Sequence, residues 1–117
     1  TRNPSRYRDK IKSFDLLMQF ARENGLYEAN QAELDYIYLK KGYLLGILTY
    51  IYNEQQPQQL TLCKIYNHLL SYVPYYKANA YYHADLKLRL LHTFVRQYPR
   101  LAFKVLPSYI HKTKMKL

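Results

Sequence analysis

Apolar residues recur along this chain mostly at three- and four-residue steps, and the strict alternation of a half-buried strand is scarce. From Arg6 to Asn24, the residues Ile11, Phe14, Leu17, Met18 and Ala21 mark one face of a first helix. Gly25 stands where a left-handed cap stops that helix, with Leu26 placed to pack back over the turn. A second and longest helix is predicted from roughly Glu28 to Asn53, with Leu34, Ile37, Leu44, Leu48 and Ile51 in one stripe widened by Tyr38, Leu45 and Tyr52. Gly42 and Gly46 lie four apart on it. They mark either the close approach of another helix or a plain loss of helix propensity, about 1 kcal/mol for each. The polar run from Glu54 to Gln59, with Pro57, reads as a loop. A third helix starts near Leu60 or Thr61, with Thr61 as N-cap, and ends at about Tyr72 before Pro74. After a loop from Tyr75 to Asn79, a fourth helix spans about Ala80 to Gln97 and carries Leu86, Leu90, Leu91, Phe94 and Val95. Pro99 suits the first turn of a fifth, reaching Ile110 and kinked or interrupted at Pro107, and the cationic end from His111 to Leu117 is expected to fray. The pattern predicts an all-α bundle of about five helices, folded as a single domain over 1–117.

Composition supports a folded chain: 49% of residues are hydrophobic, and fifteen are tyrosine. Tyrosine joins an apolar ring to a polar tip, which suits a core margin, an interface or a membrane headgroup zone. The one cysteine, Cys63, can form no internal disulfide, and on a helix it reads as a small buried apolar residue in a reducing compartment. Charge is uneven. Eight Lys and Arg against seven carboxylates give +1 up to Glu54, whereas ten against the lone Asp85 give +9 beyond it. An excess of that size concentrates anions, so a phosphate-rich surface or polymer is the expected partner class. The most apolar segment, Leu34–Tyr52, is broken by Asp35, Lys40 and Lys41 and fails as a membrane span. No signal peptide opens the chain, and Thr1 in place of Met reads as the start of a segment cut from something longer.

Catalytic patterns are few. The three glycines have no phosphate-loop spacing, and His68, His83, His92 and His111 lack the close pairings of a zinc site, so each reads as a surface or core-margin residue. No metal and no cofactor is expected in this segment. The basic series Lys87, Arg89, Arg96, Arg100 and Lys104 is the better candidate, for binding an anionic surface. The plain alternative is a solvated face opposite a core stripe. Leu101, Phe103, Val105, Leu106, Tyr109 and Ile110, interspersed with Lys104 and Lys112, fit an interfacial helix. Tyr75, Tyr76, Tyr81 and Tyr82 could line an aromatic groove for sugar rings or bases, or close the junction of two helices, and the second use is the commoner.

The runs Arg22-Glu23-Asn24-Gly25-Leu26-Tyr27-Glu28 and Glu33-Leu34-Asp35-Tyr36-Ile37-Tyr38 resemble the C-terminal helical region of bacterial family-2 (GT-A type) glycosyltransferases. So do Ala84-Asp85-Leu86-Lys87-Leu88-Arg89-Leu90-Leu91 and Tyr98-Pro99-Arg100. The resemblance implies a parent enzyme that builds capsule, exopolysaccharide, lipopolysaccharide or wall polymer at the cytoplasmic membrane face, using a nucleotide-sugar and a divalent metal. Its Asp-x-Asp motif and catalytic base would lie in a preceding domain, and no Asp-x-Asp occurs here. The segment is then a non-catalytic accessory domain, peripheral to the inner membrane face. Its implied partners are its own upstream catalytic domain and an anionic membrane or lipid-linked acceptor. A nucleic-acid-binding helical protein is the alternative, and a dimer through Gly42 and Gly46 a third reading.

Overall fold

The computed structural model describes residues 3–115, and among these the fold is all-α with no strand. Helix α1 (Arg6–Glu23) ends as predicted at Gly25, whose φ of +69° closes the turn. The Leu26 amide bonds the Ala21 carbonyl at 2.8 Å and the Gly25 amide bonds Arg22, the two bonds of a Schellman cap. Leu26 itself stays exposed rather than packing back, and Leu17, assigned to the buried stripe, also faces solvent. Met18 and Ala21 are buried, with Tyr7, Ile11 and Phe14 packed against the core.

The predicted second helix is one rod in three parts: α2 (Gln31–Ile37), a π-helical stretch (Tyr38–Leu44) and α3 (Leu45–Asn53). A 3₁₀ turn, Glu28–Asn30, leads into it. The rod is the centre of the molecule. From Gly42 to Ile51 nearly every residue is buried, which is the expected state of a helix apolar on all sides. Around it pack α1, α4 (Gln59–Tyr72), α6 (Leu86–Gln97) and α7 (Pro99–Thr113).

The glycine pair belongs to this packing. A Cβ on Gly42 would meet Phe14 Cβ at 2.9 Å, and one on Gly46 would meet Ile11 Cγ1 at 2.8 Å. Both glycines are therefore consumed by the crossing of α1, and they are not available for a dimer.

Four other boundaries differ from expectation. Helix α4 begins at Gln59 with Gln58 as its N-cap, so Thr61 lies inside the first turn. The segment after Pro74 contains a 3₁₀ turn, Tyr76–Ala78. The fourth helix is broken into α5 (Ala80–Ala84) and α6 because Asp85 leaves α5 to cap α6, its Oδ1 accepting the Leu88 amide at 3.0 Å. Helix α7 runs through Pro107 to Thr113, although the proline ring removes the amide that would bond Phe103. The end is tied down through Met115, not frayed. Lys114 adopts φ 53°, its amide bonds His111, the Met115 amide bonds Ile110, and Met115 packs on the core. Lys116 and Leu117 lie outside the described residues.

Gly42→Ala would gain roughly 1 kcal/mol of helix propensity yet meet the stiff Cβ of Phe14, so a net loss of about 1–3 kcal/mol is expected in urea denaturation. Gly46→Ala meets a softer Ile11 side chain and loses less. In an Ile11→Ala background, Gly46→Ala becomes neutral or stabilising, which a double-mutant cycle reads directly.

Candidate functional site

The predicted cations do not gather on one side. At about 100° per residue, Arg89 and Arg96 fall within roughly 20° of each other on α6, and Lys87 lies on the opposite flank. Lys87 borders an apolar groove of about 200 Å³ with Lys40, Lys41, Leu44, Leu88 and Met115. On the other flank the Arg96 guanidinium lies 3.6 Å from the Tyr66 ring centroid. Arg89 is half-buried, and its Nε is sealed from solvent with no hydrogen bond to the protein. Between the two flanks, at the outer crest of α6, stand Leu86 and Leu90, 58% and 60% exposed. Helix α7 has a similar outward face: Arg100 and Lys104 are exposed there beside Leu101 at 49% and Val105 at 47%. No carboxylate occurs after Asp85. None of these cations is ion-paired, since the two pairs among the described residues are Lys40–Asp85 at 3.5 Å and His68–Asp15 at 2.7 Å.

Asp85 is itself heavily used. Its Oδ2 accepts the Tyr36 hydroxyl at 2.6 Å while Oδ1 caps α6. Burial pushes its pKa up, but Tyr36, the Leu88 amide and Lys40 outweigh that, and the net shift is downward.

The four candidate tyrosines do not line a common groove. Tyr75 is exposed on its own, and Tyr81 is half-exposed with its hydroxyl 3.2 Å from Glu33. Tyr76 and Tyr82 are buried, ring edge to ring face at 5.3 Å, and close the junction of α5 with the core. They surround His92, which the sequence did not single out. Its Nε2 lies 2.9 Å from the Tyr43 hydroxyl and its Nδ1 3.3 Å from that of Tyr82. His92 shares the inner face of α6 with Leu88 and Val95, at the four- and three-residue steps that could have flagged it. Burial foremost, then Arg96 and Lys77, lower its pKa to about 4. Cys63 is exposed, not buried as expected.

The structure also assembles a site that sequence reasoning missed. Arg8, Lys12 and Asp15 follow at four- and three-residue steps on α1, and Thr61, Lys64 and His68 at three- and four-residue steps on α4. The two rows face each other across a cleft of about 450 Å³. Helical spacing holds each row, but only the tertiary fold brings α1 against α4. Among the described residues, no three His, Cys, Asp or Glu side chains are placed to hold a metal ion. Nor is any helix among them long and apolar enough to cross a membrane.

Comparison with protein-family models, with curated proteins and with solved structures finds no match.

Because the unfolded chain binds a proton at His92 near 6.5 and the folded chain only near 4, this group's stabilisation is complete above the first value. It falls by up to about 3 kcal/mol as pH drops through that window. Urea denaturation midpoints measured between about pH 7 and about pH 4.5 are expected to show this decline, and His92→Gln, which cannot protonate, is expected to flatten it.

Proposed function

We propose that this chain is a non-catalytic helical accessory domain that docks on an anionic membrane surface. We place it in a glycosyltransferase of cell-surface polysaccharide synthesis at the inner face of the membrane. The observation that carries the docking reading is the outward face of α6 and α7. Leu86 and Leu90 are exposed on α6 beside Lys87, Leu101 and Val105 are exposed on α7 beside Arg100 and Lys104, and no carboxylate comes after Asp85. Apolar side chains at a helix crest with cations on both flanks suit an interface, where leucine enters the acyl boundary and lysine or arginine stays among the headgroups. Each such cation contributes about 1 kcal/mol near an anionic leaflet, so several suffice for reversible binding.

The parent enzyme comes from the sequence resemblance, which the all-α fold accommodates. In that setting the nucleotide-sugar and the metal belong to an upstream catalytic domain, and this domain keeps it near a lipid-linked acceptor. Even weak membrane binding then raises the effective concentration of enzyme at the acceptor.

Sedimentation with vesicles tests the docking. Recovery on anionic vesicles at low salt, falling at high salt, is the expected result. Leu86→Ser with Leu90→Ser is expected to lower the partition coefficient at least about tenfold, and Lys87→Ala with Lys104→Ala roughly thirtyfold. Equal recovery on neutral and anionic vesicles sinks the reading. Tight oligonucleotide binding without vesicle binding replaces it with a nucleic-acid interface.

A further inference from the structure

The cleft between α1 and α4 is remote in residue content from the α6 and α7 surface, and its polar groups point to a different ligand. The two helices are pinned at one end. Asp15 meets His68 at 2.7 Å, the Gln19 amide donates to the Tyr72 hydroxyl at 3.0 Å, and Arg22 donates to the Tyr72 carbonyl at 3.2 Å. Towards the start of both helices the space between them is an open cleft, a wedge edged by Arg8, Lys12 and Lys64.

The carboxylate within it offsets only part of this charge, since three cations against Asp15 leave +2. Asp15 accepts the Tyr38 hydroxyl on Oδ1 and engages His68 Nε2 on Oδ2, so both of its oxygens are directed at fixed partners. Among the described residues Arg8, Lys12 and Lys64 form no ion pair, although the Arg8 Nε donates to the Tyr7 hydroxyl at 3.2 Å and Arg8 also borders an adjoining cleft that holds Glu54. Arg8, Lys12 and Lys64 are exposed side chains bordering one cleft, so an anion entering it is attracted by all three.

We propose that this wedge is a binding site for a phosphate group, as a dianionic monoester. A monoester offers two charges and three terminal oxygens, enough to engage Lys12, Lys64 and Arg8 together, whereas a carboxylate offers one charge and two oxygens. Thr61 adds a hydroxyl at the same wall. Ile11 and Ile65 give the floor an apolar lining, which suits the organic part of an ester rather than bare phosphate. Asp15 and His68 act as the hinge pin that fixes the spacing of the two helices.

Calorimetric titration of the 117-residue chain at low ionic strength tests this, with inorganic phosphate and with glycerol 3-phosphate as probes. Saturable binding of one equivalent is expected, tighter for the ester. Lys12→Ala with Lys64→Ala is expected to weaken it at least about tenfold. Lys41→Ala with Lys77→Ala, which removes the same charge at exposed positions outside the cleft and the docking face, is expected to leave it within about twofold. Equal weakening by both pairs, or no saturation, overturns the site and leaves only a general attraction to a cationic protein. Vesicles bearing phosphatidic acid identify the source. Displacement of the chain from them by glycerol 3-phosphate, lost in the Lys12/Lys64 variant, assigns a lipid headgroup, and retention of soluble-ester binding alone assigns a free metabolite. Because Leu86 and Leu90 lie outside the wedge, failure here leaves the membrane test on α6 unaffected.

Discussion

Helix α1 can lie directly on the central rod only because that rod has no side chain where the two backbones meet. Gly42 and Gly46 present bare backbone to Phe14 and Ile11, and any Cβ at those points would fall inside contact distance. The seating of α1 sets several other contacts. Asp15 comes within reach of Tyr38 and His68, Arg22 reaches the end of α4, and the space between α1 and α4 opens as a wedge. The energy lost by putting two poor helix formers in a helix is about 2 kcal/mol, and it is returned by close packing along the crossing.

A second set of contacts organises the opposite side. Rings of Tyr43, Tyr66, Tyr76 and Tyr82 enclose His92, with Arg96 across the outer face of Tyr66. Much of the unusual tyrosine content is explained here, since a ring can fill the core while its hydroxyl meets a polar partner. Asp85 ties this region to the rod through Tyr36 and Lys40 while it starts α6. One carboxylate thus serves as cap, ion-pair partner and acceptor of a short hydrogen bond.

What could be read in advance divides along the range of the interactions. Helix positions and the Gly25 cap stem from local geometry, which four or five consecutive residues specify, whereas the glycine pair left two readings open that only the contact with Phe14 and Ile11 decides. The break at Asp85 was equally local, but the run of leucines around it masked an N-cap three residues ahead of Leu88. The wedge was illegible for a different reason. Lys12 and Lys64 are fifty-two positions apart, and the pairing of α1 with α4 depends on where the rod places them both. The cations of α6 illustrate the converse. Lys87 and Arg89 are neighbours in the sequence, yet helical rotation sends them to different flanks, one to an apolar groove and the other towards Tyr82.

The π-helical stretch from Tyr38 to Leu44 has an implication for how this architecture tolerates change in chain length. Such a stretch closes its bonds one residue further along than an α-helix does, so it stores a surplus residue in the middle of the rod. Losing one residue there would let the rod rewind as ordinary α-helix with both ends still facing their present neighbours. The same deletion in α3 would turn everything after it by about 100° and swing Ile47, Leu48 and Ile51 off their contacts. The centre of the molecule therefore contains its own slack, between the Tyr38 contact with α4 on one side and the buried turns of α3 on the other.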